Sequence, residues 1–206
     1  TGYAAAGTVI EVAPDIMNFK VGDRVACAGA QCAHHASIIR VPKNLAVKVP
    51  NEVDLRSAST ATLGAIALQG VRRAAPTLGE TFVVVGLGIL GQMTMQLLRA
   101  NGCRVIGTDL DPSRINLAKS NGMEFGLDTS AGSVVEQIYR ITDGYGADGA
   151  IITAASSSNE IISNAFKSCR KKGRVVLVGD VGLQLNRGDF FQKEIDFLIS
   201  SSYGPG

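Results

Sequence analysis

Three glycines at a fixed spacing carry the clearest chemistry in this sequence. Thr81-Phe82-Val83-Val84-Val85-Gly86-Leu87-Gly88-Ile89-Leu90-Gly91 reads as a buried strand running into Gly-x-Gly-x-x-Gly and then into a helix. In that setting Gly86 permits a tight turn, Gly88 lets a pyrophosphate approach the main chain with no Cβ in the way, and Gly91 lets the helix lie close on the strand. The helix N-terminus adds free N–H groups and a positive dipole end. A second apolar run, 103–108, ends in Asp109, 23 residues after Gly86 and 18 after Gly91, close to where a carboxylate reaches both hydroxyls of an adenosine ribose. A carboxylate there repels the extra phosphate of NADP. No arginine directly follows it, and Arg114, five residues on, stands where it can flank the adenine ribose. The expected site is therefore Gly86, Leu87, Gly88, Ile89, Leu90, Gly91, Asp109 and Arg114, with NAD as the cofactor. Two other readings stand beside it. The glycines can form a packing turn alone, with Asp109 capping the helix that opens at Asp111-Pro112, or the turn can hold the adenosine cofactor of a methyltransferase, which does not strictly require a diphosphate.

A second constellation, Cys27-x4-Cys32-x-His34-His35, holds the atom types of a tetrahedral metal site. Its spacing is wrong for a knuckle, because four intervening residues do not close as two do. An ordinary strand start at His34-His35 is the plainer expectation, with a substrate-facing histidine as the remaining alternative. Cys103 and Cys169 lie beside apolar elements and read as core thiols. No metal site is expected.

The elements that must position these residues fall into two groups. Up to residue 53, short β-like runs at 7–12, 24–27, 37–41 and 45–49 are separated by Pro14-Asp15, Gly22-Asp23 and Pro42-Lys43-Asn44, which suggests a small barrel or sandwich. A connecting helix at 54–74 follows. Strands at 81–85, 104–108, 149–153, 174–178 and 195–200, with a weaker one at 124–127, then alternate with helices at 89–101, 111–121, 132–142 and 157–168. Runs such as Val83-Val84-Val85 and Val175-Val176-Leu177-Val178 are apolar on both faces. That pattern argues for a doubly wound α/β domain, a parallel sheet covered by helices on both sides.

Composition narrows the classes of function. Of 206 residues 46% are apolar and 18% charged, against about 25% charged in an average domain, so a large core is expected. Net charge is +2, and no basic cluster is denser than Arg170-Lys171-Lys172, which argues against nucleic acid. The longest uncharged stretch of the apolar region, 57–71, contains Ser, Thr and Gln and is too short for a membrane span. Four cysteines make no disulfide framework, so a reducing cytoplasm is the expected setting. No secretory segment is expected from the opening residues. It begins at Thr1 without Met and stops at Gly204-Pro205-Gly206 straight after a strand-like run, as an excised piece of a longer protein would.

Together, Gly7-x-Val9, Phe19-Lys20-Val21-Gly22-Asp23-Arg24-Val25, the segment from Val41-Pro42-Lys43-Asn44 through Val49-Pro50, and the Gly86 turn resemble the medium-chain dehydrogenases of the alcohol dehydrogenase and quinone oxidoreductase type. The resemblance implies part of a GroES-like barrel domain at 1–53, which in the family carries the chemistry, and a nicotinamide-binding Rossmann domain at 54–206. Zinc-dependent members carry Gly-His-Glu where this chain reads Gly2-Tyr3-Ala4, and a cysteine ligand near the position of Ala61. Zinc needs three protein ligands and an open position, so the resemblance implies no catalytic zinc here. It sets Thr153-Ala154-Ala155 and Val178-Gly179-Asp180 along the nicotinamide and its ribose, with Thr153, Val178 and Gly179 as contacts. The carboxyl ends of strands are where open α/β sheets bind ligands. Thr153 as a helix cap is the alternative. Tyr3 is the visible phenol able to donate a proton, or else an aromatic packing residue.

In the family it resembles, the edge formed by the last strand, here 195–200, pairs with its twin in another subunit, so the resemblance implies a homodimer, with simple edge protection by alternating Asp196 and Phe197 as the other reading. Thr62-Leu63-Gly64-Ala65-Ile66-Ala67-Leu68-Gln69-Gly70-Val71-Arg72-Arg73, with the ending from Val178 and from Ser202, resembles bacterial two-part oxidoreductases. That likeness implies a fused second oxidoreductase domain absent from this chain. The activity so implied is NAD-dependent, zinc-independent hydride transfer to or from a small alcohol or carbonyl substrate, sugar derivatives included. The alternative is a non-catalytic NAD-binding module or scaffold.

Overall fold

The computed structural model describes residues 2–204; Thr1, Pro205 and Gly206, among the terminal residues read above, lie outside the described residues. The chain forms β1 (Ala4–Thr8), β2 (Arg24–Ala28), β3 (Ala46–Lys48), α1 (Leu55–Ala58), α2 (Ala61–Ala74), β4 (Thr81–Val85), α3 (Ile89–Ala100), β5 (Arg104–Asp109), α4 (Pro112–Ser120), β6 (Phe125–Asp128), α5 (Val134–Ile141), β7 (Ala147–Ile152), β8 (Ala155–Ser156), α6 (Glu160–Ser168), β9 (Cys169–Leu177), β10 (Asp180–Val181), α7 (Arg187–Phe190) and β11 (Asp196–Ile199). Two compact units divide inside α2, after Ala65.

In the first unit β2 pairs antiparallel with both β1 and β3. Val25, Cys27 and Ala33 fill one small cluster, while Ala26, Val49 and Ala58 fill another. The run at 37–41, expected as a strand, is a bend with irregular flanks, and so is the His34-His35 segment. A β-like run becomes a strand only where a partner completes its ladder, and among the described residues none lies alongside it. Ile39 and Val41 still pack on the first cluster, but Ile38 is 72% exposed. The connecting helix is also two helices. Asp54 caps α1 by accepting from the Ser57 N–H at 2.8 Å, and the hydroxyls of Ser59 and Thr60 donate to the carbonyls of Arg56 and Ser57, closing α1 before α2 begins.

The second unit is the doubly wound domain. Its six strands are all parallel in the order β11-β9-β7-β4-β5-β6. Side chains alternate as a pleat dictates. Phe82, Val84, Val105, Ile151 and Val176 face Met95, Leu98, Ile115 and Ala118 of α3 and α4, whereas Val83, Ile106, Ala150, Ile152 and Val175 face Ile138, Ile162 and Phe166 of α5 and α6. Burial on both faces is why these strands read as unbroken apolar runs. β9 begins earlier than expected, since Cys169 already pairs with Ala147 before a register shift. Strand order reverses between β4 and β7, which opens a crevice at the carboxyl ends of those two strands.

No helix among the described residues is long and apolar enough to cross a membrane.

Candidate functional site

The glycine turn sits at that crevice, and its three glycines have different reasons to be there. Gly86 has φ +89°, and a Cβ on it would lie 2.8–2.9 Å from the main chain of Ala154. A Cβ on Gly91 would overlap the Gly86 carbonyl and reach Thr153 Oγ1 at 3.0 Å. Protein packing accounts for both. Gly88 is different: its φ is −65°, which any residue adopts, and a Cβ there would meet nothing within 4 Å. The space above Gly88 is open to a ligand.

Leu87 turns its side chain into the core and is 1% exposed, lodged over Gly107, where a Cβ would collide with it. It therefore offers a ligand only its backbone. Its N–H donates to Asp109 Oδ2 at 2.6 Å, while Asp109 Oδ1 accepts the Asp111 N–H at 2.9 Å. The carboxylate that ends β5 is thus in direct contact with the turn that follows β4, and only 7% of its side chain is exposed. Asp109 does engage the start of α4, but the cap is Asp111, which accepts from the Ser113 N–H at 2.8 Å. The Ser113 hydrogen bonds hold the Asp111 carboxyl below the usual carboxylate range. Arg114 lies 3.8 Å from Asp109 Oδ2 and 3.6 Å from Asp111 Oδ2. Ile89 is exposed beside the open space and Leu90 is half-buried.

Thr153 stands across the crevice at the end of β7. Its hydroxyl lies 2.6 Å from the Gly86 carbonyl and 3.1 Å from that of Val85. It caps no helix, since α6 starts at Glu160; it ties β7 to the glycine turn. The N–H groups of Val178 and Gly179 both donate to the Ile152 carbonyl, so β9 is drawn to the same end of β7. Beyond them β8 and β10 form a short parallel pair, and Ala155, Ser156, Ser157, Asp180, Val181 and Gly182 line an open cavity of about 520 Å³. The structure so brings together the expected cofactor residues, while Tyr3, the expected proton donor, belongs to the other unit. There Tyr3 is 43% exposed in a bend before β1, and its carbonyl accepts the Gly29 N–H.

Sequence reasoning missed Gln92. It is a polar residue at a buried position of α3, 9% exposed, and its Nε2 donates to the carbonyls of Leu87 at 3.0 Å and Arg114 at 2.9 Å. Its place on the apolar face with Met95 and one residue after Gly91 is the signal that marks it.

Among the described residues no group of three His, Cys, Asp or Glu side chains that could hold a metal occurs, and Tyr3 and Ala61 stand where the resemblance sets two zinc ligands. Burial pushes the thiol of Cys27 up, and that of Cys169 up to about 12, so neither is primed as a thiolate.

The family model for zinc-binding dehydrogenases matches residues 90–206. A sorbitol dehydrogenase from Halalkalibacterium halodurans is 27% identical over 99% of this chain and 68% of its own length. The crystal structure of 2R,3R-butanediol dehydrogenase from Bacillus subtilis superposes with a TM-score of 0.84 at 25% identity, covering 98% of this chain and 65% of that one. A putative zinc-binding dehydrogenase from Sinorhizobium meliloti 1021 bound to NADP shares the fold with a TM-score of 0.82 at 24% identity, over 95% and 66% of the two chains. The chain spans about two thirds of the length of these relatives.

Proposed function

The chain belongs to the zinc-binding dehydrogenases, within the medium-chain dehydrogenases and reductases, and from that premise we propose that its second unit binds NAD for zinc-independent hydride exchange with an alcohol or carbonyl substrate. The observation that carries this reading is Gly88, the one glycine of the turn that neither backbone strain nor packing requires. As the N-cap of α3 the position accepts glycine but does not demand it, whereas a diphosphate approaching the main chain does. The N–H groups of the first turn of α3, for which a helix has no acceptor of its own, face the phosphates. Asp109 spends two acceptor positions on the Leu87 and Asp111 N–H groups; an ionised carboxylate has about four, which leaves two for the ribose hydroxyls.

The same carboxylate favours NAD. Arg114 is shared between Asp109 and Asp111, so the nearby charge remains negative and opposes a 2′-phosphate. The Sinorhizobium relative holds NADP on this fold, so the fold alone does not choose the cofactor; the residue at the end of β5 makes the difference in this reading. NAD supplies the hydride acceptor. Thr153 holds the turn against β7, and the backbone of Val178 and Gly179 shapes the nicotinamide side. The likeness to sorbitol dehydrogenase favours a polyol or sugar derivative. The outer edge of β11, on which Arg73 Nε donates to the Ile199 carbonyl, is where a second copy would pair. Tyr3 is the proton donor proposed in place of zinc.

The same Tyr3 and Ala61 positions favour a second reading, an NAD-binding scaffold without turnover. Assay of the protein with NAD and a panel of polyols, before and after exhaustive chelation, separates these. Turnover unchanged by chelation is the expected result; loss of turnover on chelation would contradict zinc independence, and NAD binding without turnover on any substrate would favour the scaffold.

A further inference from the structure

Gln92 is a buried side chain that, like Asp109, touches both the glycine turn and the start of α4. Two carbonyls face its amide, Leu87 O in the glycine turn and Arg114 O in α4. A carbonyl only accepts, so the atom facing them must be the nitrogen, which fixes the amide orientation. The other half, Oε1, is buried and without a partner among the described residues. A side chain kept for packing alone has no reason to bury an unsatisfied oxygen; what it contributes is the pair of donors.

The Leu87 backbone is consequently gripped from both sides. Its N–H is held by Asp109 and its carbonyl by Gln92. With φ at Gly86 in the left-handed region, that grip sets the direction in which the backbone from Gly86 to Gly88 presents itself. We infer that Gln92 is a positioning residue for the cofactor, a latch that holds the pyrophosphate turn in its binding conformation by bridging Leu87 O and Arg114 O. The inference rests on the dinucleotide reading proposed above. The ribose acid keeps its own backbone bonds to Leu87 and Asp111, so the latch acts on the phosphates more than on the nucleoside.

The test is titration calorimetry of the protein with ADP-ribose and, by ligand-observed NMR, with adenosine, on the parent, Gln92→Met and Gln92→Glu. Methionine keeps the volume and removes both donors; glutamate keeps the shape and turns acceptors toward the two carbonyls. Thermal unfolding without ligand identifies any variant that fails to fold, and Gln92→Met alone then suffices. The expected result is ADP-ribose affinity lowered about tenfold, the scale of one lost hydrogen bond, with adenosine affinity within about twofold of the parent. Equal weakening of both ligands, or no change in either, would overturn the latch while leaving the cofactor site standing. A parent protein that binds neither ligand would overturn the dinucleotide reading, and the latch with it.

Discussion

The two sides of the crevice are held in opposite ways. On the β4 and β5 side, side chains grip the backbone: Asp109 holds the Leu87 N–H, Gln92 the Leu87 carbonyl, and Thr153 the Gly86 carbonyl from across the switch point. On the β7 and β9 side the strands are tied main chain to main chain, through the Ile152 carbonyl and the β8–β10 pair, with side chains confined to local loop bonds such as Ser156 Oγ accepting the Ser158 N–H and Asn159 Oδ1 the Gln184 N–H, and Ala155, Ser156, Ser157 and Asp180 stay exposed. A rigid side suits a ligand part that does not vary, the diphosphate and ribose. An open side built of backbone and small residues leaves room for the part of the reaction that differs between relatives.

The largest effect expected from this contrast is at Gly91. A Cβ overlapping the Gly86 carbonyl has no rotamer to relieve it, so Gly91→Ala should destabilise the protein by about 2–3 kcal/mol in denaturant titration. A loss under about 0.5 kcal/mol would mean that the turn yields and is not rigid. Gly88→Ala sharpens the contrast within the same turn. It should change stability by less than about 1 kcal/mol, the scale of an N-cap exchange, while weakening NADH binding by at least about tenfold.

The fold of the second unit was legible because burial on both sheet faces writes itself as runs such as Val83-Val84-Val85, and the glycine turn because each glycine has a stereochemical job. The first unit was less legible. The β-like run at 37–41 reads as a strand by composition, yet pairing is a long-range property that residue types do not carry, and the structure leaves it as a bend. The break between α1 and α2 depended on which carbonyls the Ser59 and Thr60 hydroxyls would find. In the site, motif spacing pointed to Asp109 but not to its grip on Leu87. Gln92 escaped because a motif is read along the chain, whereas its two partners lie five residues before it and 22 after it.

A smaller effect separates the two sides directly. Thr153→Val removes the hydroxyl that holds Gly86 and should cost about 1 kcal/mol, with Thr153→Ser close to the parent. Ser156→Ala on the open side should stay within about 0.5 kcal/mol. Thermal unfolding of the three variants checks both, and equal losses at 153 and 156 would erase the distinction between a gripped and an open side.

The most direct measurement is calorimetric titration of the protein with NADH and NADPH, repeated on Asp109→Ala. The carboxylate in contact with the Leu87 N–H predicts that the parent prefers NADH, and that the variant binds NADH at least about tenfold more weakly with most of the preference gone. NADPH bound as tightly as NADH by the parent, or a preference that survives in Asp109→Ala, would contradict the assignment of this acid to the adenosine ribose.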